Sequence, residues 1–398
     1  MKIGMLTDVY KPHVSGITNY IALNKKVLED QGHEVYIFTF GDLDYPDDEA
    51  NVIRSPALPL VDTGFYLSLS YNKRARHLLY EMDIAHVHHP FVSGSLALRY
   101  CRPRGIPVIF TNHTRYDLYT QAYLPILPDT WGEAAMKAYL PSFCRACNMV
   151  ISPSKGMARV LEGFGVDSPI EVVPNGVALE PLRAKITPLD RGALGIRAED
   201  VLLAYVGRVA PEKNLSFLLR AFAGVAEAFD NVHLVIVGDG PAYEELEQQA
   251  RQSHASSRIH FTGMVPYQDL SCHLAAADAF VTASVTEVHP LSVIEAMGVG
   301  LPVLGIDSPG VGDTIEDGKT GFLSSNDLAA YAAKMARLVG ENSLRVNMGA
   351  AAYQAAEQYD IHRTTKTMLE HYKRLVDQSQ YRKRGLRFRL ARFFDRWR

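Results

Sequence analysis

The 398-residue sequence has no uninterrupted apolar stretch of the roughly 18 residues that a membrane-spanning helix requires. It contains four cysteines, too few for a disulfide framework in a chain of this length. Its first residues, MKIGMLTDVYKP, lack the basic and then apolar layout of a secretory signal peptide. It also lacks short-period repeats and low-complexity tracts. We therefore expect a reduced, cytoplasmic, globular protein.

The charge of the chain is nearly balanced, with 41 Lys and Arg residues against 44 Asp and Glu residues and a net charge of -3. This balance argues against a nucleic-acid-binding protein. The average hides an asymmetry, because residues 381–398 hold eight basic residues and one acidic residue. That segment carries +7 and the remainder of the chain carries -10. The composition thus predicts an acidic body with a basic tail.

Alternating strand and helix signals run through the chain. An apolar strand at 2–6 precedes a helical stretch at 17–30 and a second strand at 34–40, and the rhythm starts again at 201–206. Alternation of this kind predicts parallel sheets with helices on their faces. The expected fold class is α/β, with two doubly wound Rossmann-like domains that face a central cleft, where ligands of such sheets bind.

A Pro-Asn-Gly turn marks the predicted end of the first domain at residue 176. The predicted organisation is an N-terminal domain (1–176), a C-terminal domain (177–358), a helix that packs back on the N-terminal domain (359–380) and the basic tail (381–398). Residues 178–200 have weak periodicity and are expected to form the linker and the entry to the second domain. The last strand is predicted at 302–306, and one helix is predicted at 353–376.

A cationic loop follows the apolar strand at 201–206. Gly207 permits close approach of a ligand to the backbone, and Arg208 and Lys213 precede a helix that begins near residue 215. Two cations at a helix N-terminus suit a diphosphate. The alternative is a pair of exposed surface cations.

Two glutamates eight residues apart form a second candidate site. Glu287 is predicted in the loop that leads to a helix near Pro290, and Glu295 within the first turns of that helix. Carboxylates accept hydrogen bonds from vicinal hydroxyls, such as those of a ribose or a hexose. Without the cationic loop upstream, two unrelated surface charges would be the simpler interpretation.

Together these motifs carry a family resemblance. G-R-x-x-x-E-K-N at Gly207–Asn214, followed by E-x7-E within TEVHPLSVIEAMGVGLPV, resembles the retaining glycosyltransferase family 4, typified by sucrose synthase and the bacterial phosphatidylinositol mannosyltransferases. The N-terminal half agrees with it in the Gly16 loop, DxxHxH at 83–88, TNHT at 111–114 and VPNG at 173–176. The resemblance covers about residues 2–360 and implies the GT-B fold.

The resemblance implies a nucleoside-diphosphate sugar as co-substrate, held mainly by the second domain. Arg208 and Lys213 would hold the diphosphate, Glu295 the ribose, and Glu287 the transferred sugar, while His113 and the Gly16 loop would face the sugar and the acceptor. The implied catalytic residues are His113, Arg208, Lys213 and Glu287. The implied donor-binding residues are Gly16, Gly207, Arg208, Lys213, Glu287, His289, Pro290, Leu291 and Glu295. Transfer would retain the anomeric configuration, and no metal or other cofactor is expected.

The second-domain motif departs from the commonest pattern of the family. Many members have Glu-Gly-Phe-Gly where this chain has Glu287-Val-His-Pro. That variant, with TNHTRYDLY upstream, is more similar to the diacylglycerol glucosyltransferases, which implies a membrane lipid as the acceptor. A soluble or polysaccharide acceptor is the alternative within the same class. From another class, a sugar-nucleotide epimerase on a similar fold is the rival hypothesis.

Two patterns permit a metal site. His86, His88 and His89 include two residues on one strand face at a spacing that a metal could use, although histidines at a strand end need no metal. Asp42 and Asp44 form a DxD pair, in a loop of a fold unsuited to that role.

Two further patterns are weaker. Cys144 and Cys147 form a lone CxxC without a second ligand pair and are expected to be buried thiols. Gly238 and Gly240 supply two glycines of a dinucleotide fingerprint, but Tyr243 stands at the third position, which disfavours an NAD-dependent dehydrogenase.

The basic tail has the pattern of an interfacial helix. Leu386, Leu390, Phe393, Phe394 and Trp397 share one helical face, and arginines occupy most of the remainder. Basic, aromatic amphipathic helices bind membrane surfaces. The predicted membrane-binding residues are Arg382, Lys383, Arg384, Arg387, Arg389, Arg392, Phe393, Phe394 and Trp397. We expect peripheral binding to an anionic inner membrane face; docking on the protein's own acidic body is the alternative.

Overall fold

The structure is a computed structural model that describes residues 1–13, 15–59, 66–116, 118, 129–184 and 187–395, with backbone alone at 129–133 and 381–395. It contains two compact units. The first unit comprises Met1–Gly176 and the C-terminal segment from Ile361, and the second comprises Val177–Asp360. The chain therefore crosses from the first unit to the second and back again.

The first unit is built on a parallel sheet. Its strands within the described residues are β1 (Lys2–Leu6), β2 (Glu34–Phe40), β3 (Val52–Ser55), β6 (Ile84–Val87), β7 (Val108–Thr111), β8 (Met149–Ser152) and β9 (Ile170–Val172), with an antiparallel pair of β4 (Leu58–Pro59) and β5 (Tyr66–Leu67) beside it. The strand order is β3-β2-β1-β6-β7-β8-β9. The helices of this unit are α1 (Gly16–Asp30), α2 (Lys73–Leu79), α3 (Val92–Cys101), α4 (Asp129–Ala146), α5 (Lys155–Gly163) and the C-terminal helix (Ile361–Asp395).

The second unit repeats this architecture. Its described strands are β10 (Val201–Val206), β11 (Val232–Val237), β12 (Ile259–Gly263), β13 (Ala279–Val281), β14 (Val303–Ile306) and β15 (Gly321–Ser324), in the parallel order β12-β11-β10-β13-β14-β15. Its helices are α6 (Leu179–Arg183), α7 (Leu215–Ala228), α8 (Tyr243–Arg251), α9 (Leu270–Ala276), α10 (Leu291–Gly298), α11 (Pro309–Thr314), α12 (Leu328–Gly340) and α13 (Asn342–Ala356).

Strand β10 shows why the strands are continuously apolar. All six of its residues are buried, with Leu203 and Tyr205 in a core under α7 and α12, and Leu202 and Ala204 in a core on the opposite face. Successive strand residues point to opposite faces, so a sheet covered by helices on both sides needs an apolar residue at every position.

Three local expectations were wrong. The strand at 302–306 is not the last, because β15 follows it and pairs with it. The stretch at 353–376 is not one helix, because α13 ends at Ala356 and a turn through Asp360 precedes the C-terminal helix. Residues 178–200, predicted as the linker and entry to the second domain, lie in the second unit, which begins at Val177, and they contain α6. Gly16 does not lie in a loop but is the first residue of α1.

The C-terminal helix packs on the first unit. Met368 and Tyr372 are buried in the core that α1 also enters, and the Thr365 hydroxyl donates to Asn24 Oδ1 at 2.8 Å. Fully burying a side chain of this size contributes roughly 1.5–3 kcal/mol. The helix can approach the turn at Gly176 because a Cβ there would lie 2.8 Å from Ile361 Cα. Among the helix residues whose side chains are described, Val376 is the last that is buried, and the helix itself ends at Asp395.

Each sheet contains a point where the strand order reverses. In the first unit this point lies between β1 and β6, and in the second it lies between β10 and β13. The loops that leave two such neighbouring strands diverge to opposite sides of the sheet, and ligands of doubly wound sheets bind in the resulting crevice. Among the described residues, no helix combines the length and apolarity that crossing a membrane would demand.

Candidate active site

Two loops of the second unit meet at its reversal point. One follows β10 and runs from Gly207 to Asn214, and the other follows β13 and leads to α10. Asn214, in the left-handed conformation with φ of 55°, donates from Nδ2 to Ala283 O at 3.2 Å, and Thr286 Oγ1 donates to Glu212 O at 3.3 Å. Asparagine is among the few non-glycine residues that adopt this conformation readily. These bonds join the cationic loop to the first glutamate loop.

Lys213 and Glu287 form an ion pair across the two loops, with Nζ 2.7 Å from Oε1. Burial raises the pKa of Glu287, but the Lys213 ammonium and hydrogen bonds from Lys213 and Ser284 outweigh burial and hold this pKa below its usual range. Glu287 is therefore a carboxylate at neutral pH. A lysine ammonium carries three N–H donors, so Lys213 can hold Glu287 and a phosphate oxygen at the same time.

Arg208 differs from Lys213 in its surroundings. Its side chain is 65% exposed, and its nearest carboxylate is that of Glu212, 3.8 Å away. An exposed pair at this distance contributes little to stability. The guanidinium can therefore be drawn to an anionic ligand at small cost.

Glu295 lies within α10 and is buried, as the sequence placed it in the first turns of that helix. Burial raises its pKa to about 7, although a hydrogen bond from Tyr267 Oη to Oε1 at 3.0 Å works in the opposite direction. Its charge thus changes near neutral pH, unlike that of Glu287.

His289, Pro290 and Leu291 open α10. His289 is buried with its ring 5.1 Å from the ring of Tyr359, and burial lowers its pKa to about 3. Its Nδ1 is buried and has no hydrogen-bond partner in the described structure. The ring is neutral, and a ligand that reached Nδ1 would satisfy a costly orphan group.

Gly238 and Gly240 have a packing role. A Cβ at Gly238, where φ is 141°, would lie 1.9 Å from Gly207 O, and one at Gly240 would lie 2.4 Å from Val209 O. The loops after β10 and β11 therefore approach backbone to backbone. This contact accounts for both glycines without a dinucleotide.

The reversal point of the first unit is lined by hydroxyl and imidazole groups and by the Asp8 carboxylate, which form hydrogen bonds within the unit. Asp8 Oδ1 accepts from the Ser93 backbone N–H at 2.6 Å, and His89 Nδ1 lies 3.1 Å from Thr7 Oγ1. These contacts join the loop after β1 to α3. Gly16 is exposed at the start of α1, whose N-cap residue Ser15 accepts from Thr18 N. The remaining backbone N–H groups of that first turn lie at the positive end of the helix dipole, which favours an anion.

Histidines form a cluster beside this point. His88 Nδ1 lies 3.0 Å from His113 Nε2. His86 Nδ1 lies 2.6 Å from Tyr372 Oη, and His86 Nε2 lies 2.7 Å from Thr111 Oγ1. Burial, together with neighbouring histidines, lowers the pKa of His88 and of His113 well below the usual value, and burial lowers that of His86 to about 3. The cluster is neutral at physiological pH.

The described residues contain no group of three or more His, Cys, Asp or Glu side chains placed to hold a metal ion. Asp42 Oδ1 instead accepts from Tyr66 Oη at 2.8 Å, and Asp44 is exposed. Cys144 is a buried free thiol and Cys147 a partly buried one. The side chains predicted to bind a membrane, at 382–394 and Trp397, lie outside those described.

Several contributors were missed by sequence reasoning. Tyr267 precedes Glu295 by 28 residues, and Tyr20 packs against His113 with ring centroids 4.8 Å apart. His88 was noted as a strand-end histidine but not as the partner of His113. Parallel pairing of β6 with β7 sets this contact, which sequence spacing does not reveal.

Comparison with known proteins agrees with this geometry. The family described as "Glycosyltransferase Family 4" matches residues 14–181, and that described as "Glycosyl transferases group 1" matches residues 187–355. The alpha-monoglucosyldiacylglycerol synthase of Streptococcus pneumoniae is 33% identical over 346 residues, which cover 83% of this chain and 77% of the relative. The enzyme of the same name from Acholeplasma laidlawii is 30% identical over 82% of this chain and 86% of its own length.

The solved structure of sucrose-phosphate synthase from Thermosynechococcus elongatus superposes with a TM-score of 0.76 at 19% identity, covering 95% of this chain and 99% of the other. The two doubly wound units thus have the GT-B fold. By its sequence relatives, this chain belongs to glycosyltransferase family 4.

Proposed function

We propose that this protein is a retaining hexosyltransferase that moves a hexose from a nucleoside-diphosphate sugar, UDP- or GDP-linked, to a hydroxyl of a membrane lipid such as diacylglycerol or a glycolipid. The observation that carries the donor part is the Lys213–Glu287 ion pair of 2.7 Å, with Arg208 on the same loop. It puts cations and a carboxylate together where a doubly wound sheet binds ligands.

The cations serve the leaving group. As the bond between the anomeric carbon and the phosphate oxygen breaks, negative charge grows on the departing diphosphate. Arg208 and Lys213 stabilise that charge. Lys213 is in place before the reaction begins, because it pairs with Glu287 and the loop bonds of Asn214 and Thr286 join its loop to that of Glu287, whereas the exposed Arg208 is drawn to the diphosphate when the donor binds. Glu295 accepts hydrogen bonds from the ribose, and Glu287 accepts them from the transferred sugar while it orients Lys213.

Retention follows from the family resemblance. In our proposal the acceptor hydroxyl attacks the anomeric carbon on the face that the diphosphate leaves. The new bond joins the acceptor oxygen to that carbon, and the hydroxyl proton goes to the departing diphosphate. His113, with the N-terminus of α1 at Gly16, contributes neutral hydrogen-bonding groups to the sugar and acceptor.

The lipid acceptor rests on two observations. The two relatives described above, at 33% and 30% identity, carry the name alpha-monoglucosyldiacylglycerol synthase. The C-terminal helix also continues from Val376, the last buried residue among the described side chains, to Asp395, and this stretch contains most of the basic tail. We propose that the tail holds the enzyme on the anionic cytoplasmic face of a membrane, as a peripheral protein.

The proposal is tested by incubating the full chain with UDP- or GDP-hexoses and diacylglycerol in anionic vesicles. We expect free nucleoside diphosphate and a new α-glycosidic bond on the lipid, identified by its proton coupling constant. A β-linked product would contradict retention. If the sugar were epimerised while the sugar–diphosphate bond stayed intact, the protein would be the rival epimerase. If the hexose were transferred only to water-soluble acceptors, the proposal of a lipid acceptor would be wrong.

Removal of residues 381–398 tests the membrane part. Each basic residue near an anionic surface contributes about 1 kcal/mol, and this attraction is screened by salt. A chain ending at Gln380 keeps the buried residues Met368, Tyr372 and Val376 of the helix, so we expect it to remain folded, to lose sedimentation with anionic vesicles and to retain hydrolysis of the donor. Equal sedimentation of the truncated and intact chains would place the anchor elsewhere.

A further inference from the structure

His88 is fully buried directly behind His113. It follows β6, and His113 stands two residues beyond the end of the adjacent strand β7. The rings are stacked with centroids 5.2 Å apart, and Nδ1 of His88 is 3.0 Å from Nε2 of His113. Both histidines are held in place, since His86 lies 4.2 Å from the His88 ring and Tyr20 lies 4.8 Å from the His113 ring.

One proton lies between the two rings, and it can belong to either of them. If His113 donates from Nε2, then the neutral His88 ring carries its proton on its own Nε2. That atom is buried and has no hydrogen-bond partner in the described structure, so the proton would be an orphaned N–H. If His88 donates from Nδ1, its Nε2 is only an unused acceptor. Orphaned buried donors are the rarer case in proteins, so donation from His88 Nδ1 is favoured.

We propose that His88 is a positioning residue that fixes His113 in the tautomer with the proton on Nδ1, so that His113 offers an N–H donor to a sugar oxygen. This inference rests on the proposed function, in which His113 faces the sugar. His113 is only partly buried, and no described residue hydrogen-bonds to its Nδ1. Which nitrogen of a histidine is free to donate is set by the bond that the other nitrogen makes.

The tautomer can be measured directly by nitrogen NMR of the full-length protein labelled with ¹⁵N-histidine. Protonated and bare ring nitrogens differ widely in chemical shift, and the His113 signal is assigned with His113→Gln. We expect a protonated Nδ1 and a bare Nε2 in His113. A proton on His113 Nε2 would overturn the proposal. This readout needs no turnover, so it stays informative even if the proposed transfer reaction is not found.

Kinetic variants test whether the donated proton matters. His88→Leu removes the donor, and His88→Asn keeps an amide N–H near the position of Nδ1. We expect His88→Leu to lower kcat by roughly 10–100-fold, the range seen when a metal-binding histidine loses the partner that orients it, with the donor KM little changed. His88→Asn should restore most of that loss. In the His113→Ala background, His88→Leu should cause no further loss.

A matched control exists in the other unit. His233 Nδ1 and His260 Nε2 are 3.1 Å apart with stacked rings, at the opposite ends of their strands from the candidate site. His260→Leu should leave kcat unchanged. If folded His88→Asn were as slow as His88→Leu, the hydrogen bond would not be what His88 contributes, and the proposal would fail.

Discussion

The two reversal points share the same architecture but differ in the charge of the residues around them. In the second unit the loops carry charges, with Lys213 and Glu287 paired at 2.7 Å and Arg208 beside them. In the first unit, His88 follows β6 at the reversal point and His113 follows the adjacent strand β7, and the pKa values of both rings are lowered, so they are neutral. A doubly wound sheet therefore fixes where a ligand binds, while the loop residues decide which chemistry it meets there.

Solvent exposure explains the difference. Lys213 and Glu287 each keep 21% of their side-chain surface exposed, so the desolvation cost of the pair is moderate and their attraction holds both charged. His88 is fully buried among other histidines, where a charge would lack both solvent and a carboxylate partner. Charge at one site suits a diphosphate, and neutral donors and acceptors at the other suit hydroxyl groups.

The largest effect is expected from the charged site. Arg208→Ala or Lys213→Ala should lower turnover by roughly 10²–10³-fold, because each variant removes a fixed positive charge from the leaving group. The measurement is kcat with a saturating donor, alongside thermal unfolding to confirm the fold. Lys319→Ala is the matched control, since its ammonium pairs with Glu316 on the exposed surface of the same unit. Near-normal turnover in both variants would show that the charged site does not stabilise the leaving group.

A smaller effect is expected from pH. The pKa of Glu295 is raised to about 7, so its carboxylate, which would accept the ribose hydrogen bonds, is lost as pH falls through 7. We expect the donor KM to rise by about tenfold at one pH unit below the midpoint. Glu295→Gln should flatten this profile. Tyr267→Phe should move its midpoint to higher pH, because it removes a hydrogen bond that favours the carboxylate.

The same pH profile also tests the histidine cluster of the first unit. The histidine cluster should add no inflection between about pH 5 and 8, since its pKa values lie well below the usual range. An inflection there that disappeared in His113→Gln would show that the cluster titrates.

The smallest effect is expected from chelation. Arg208 and Lys213 supply the positive charge that a divalent ion would otherwise bring to the diphosphate, so activity should survive EDTA unchanged. The check is initial rate before and after dialysis against the chelator. Loss of activity that Mg²⁺ or Mn²⁺ restored would mean that the two cations are insufficient.

Local features of both sites could be predicted because they depend on short stretches of sequence. Strand β2 was predicted with the bounds that the structure shows, and Glu295 was placed within the first turns of a helix. An apolar run between turn residues predicts a strand. A proline after a loop predicts where the next helix begins, and therefore that Glu295 lies within it. These signals require no knowledge of which strands are neighbours.

Other features depended on chain reversals that leave no local signal. Residues 353–376 were predicted as one helix, yet α13 ends at Ala356 and a turn through Asp360 leads the chain back to the first unit. Gly238 matched one position of a dinucleotide-binding motif. In the structure a glycine is needed there because a Cβ would collide with Gly207 O.

The sequence by itself determined the alternating α/β architecture, the basic tail and the residue types at the strand ends, since periodicity and composition are local properties. Only the tertiary structure decided how those residues are paired. Lys213 meets Glu287, Tyr267 meets Glu295, and His88 meets His113 because neighbouring strands bring distant segments together. Those contacts set which groups are buried and which are charged, and therefore the pKa values on which the proposed chemistry depends.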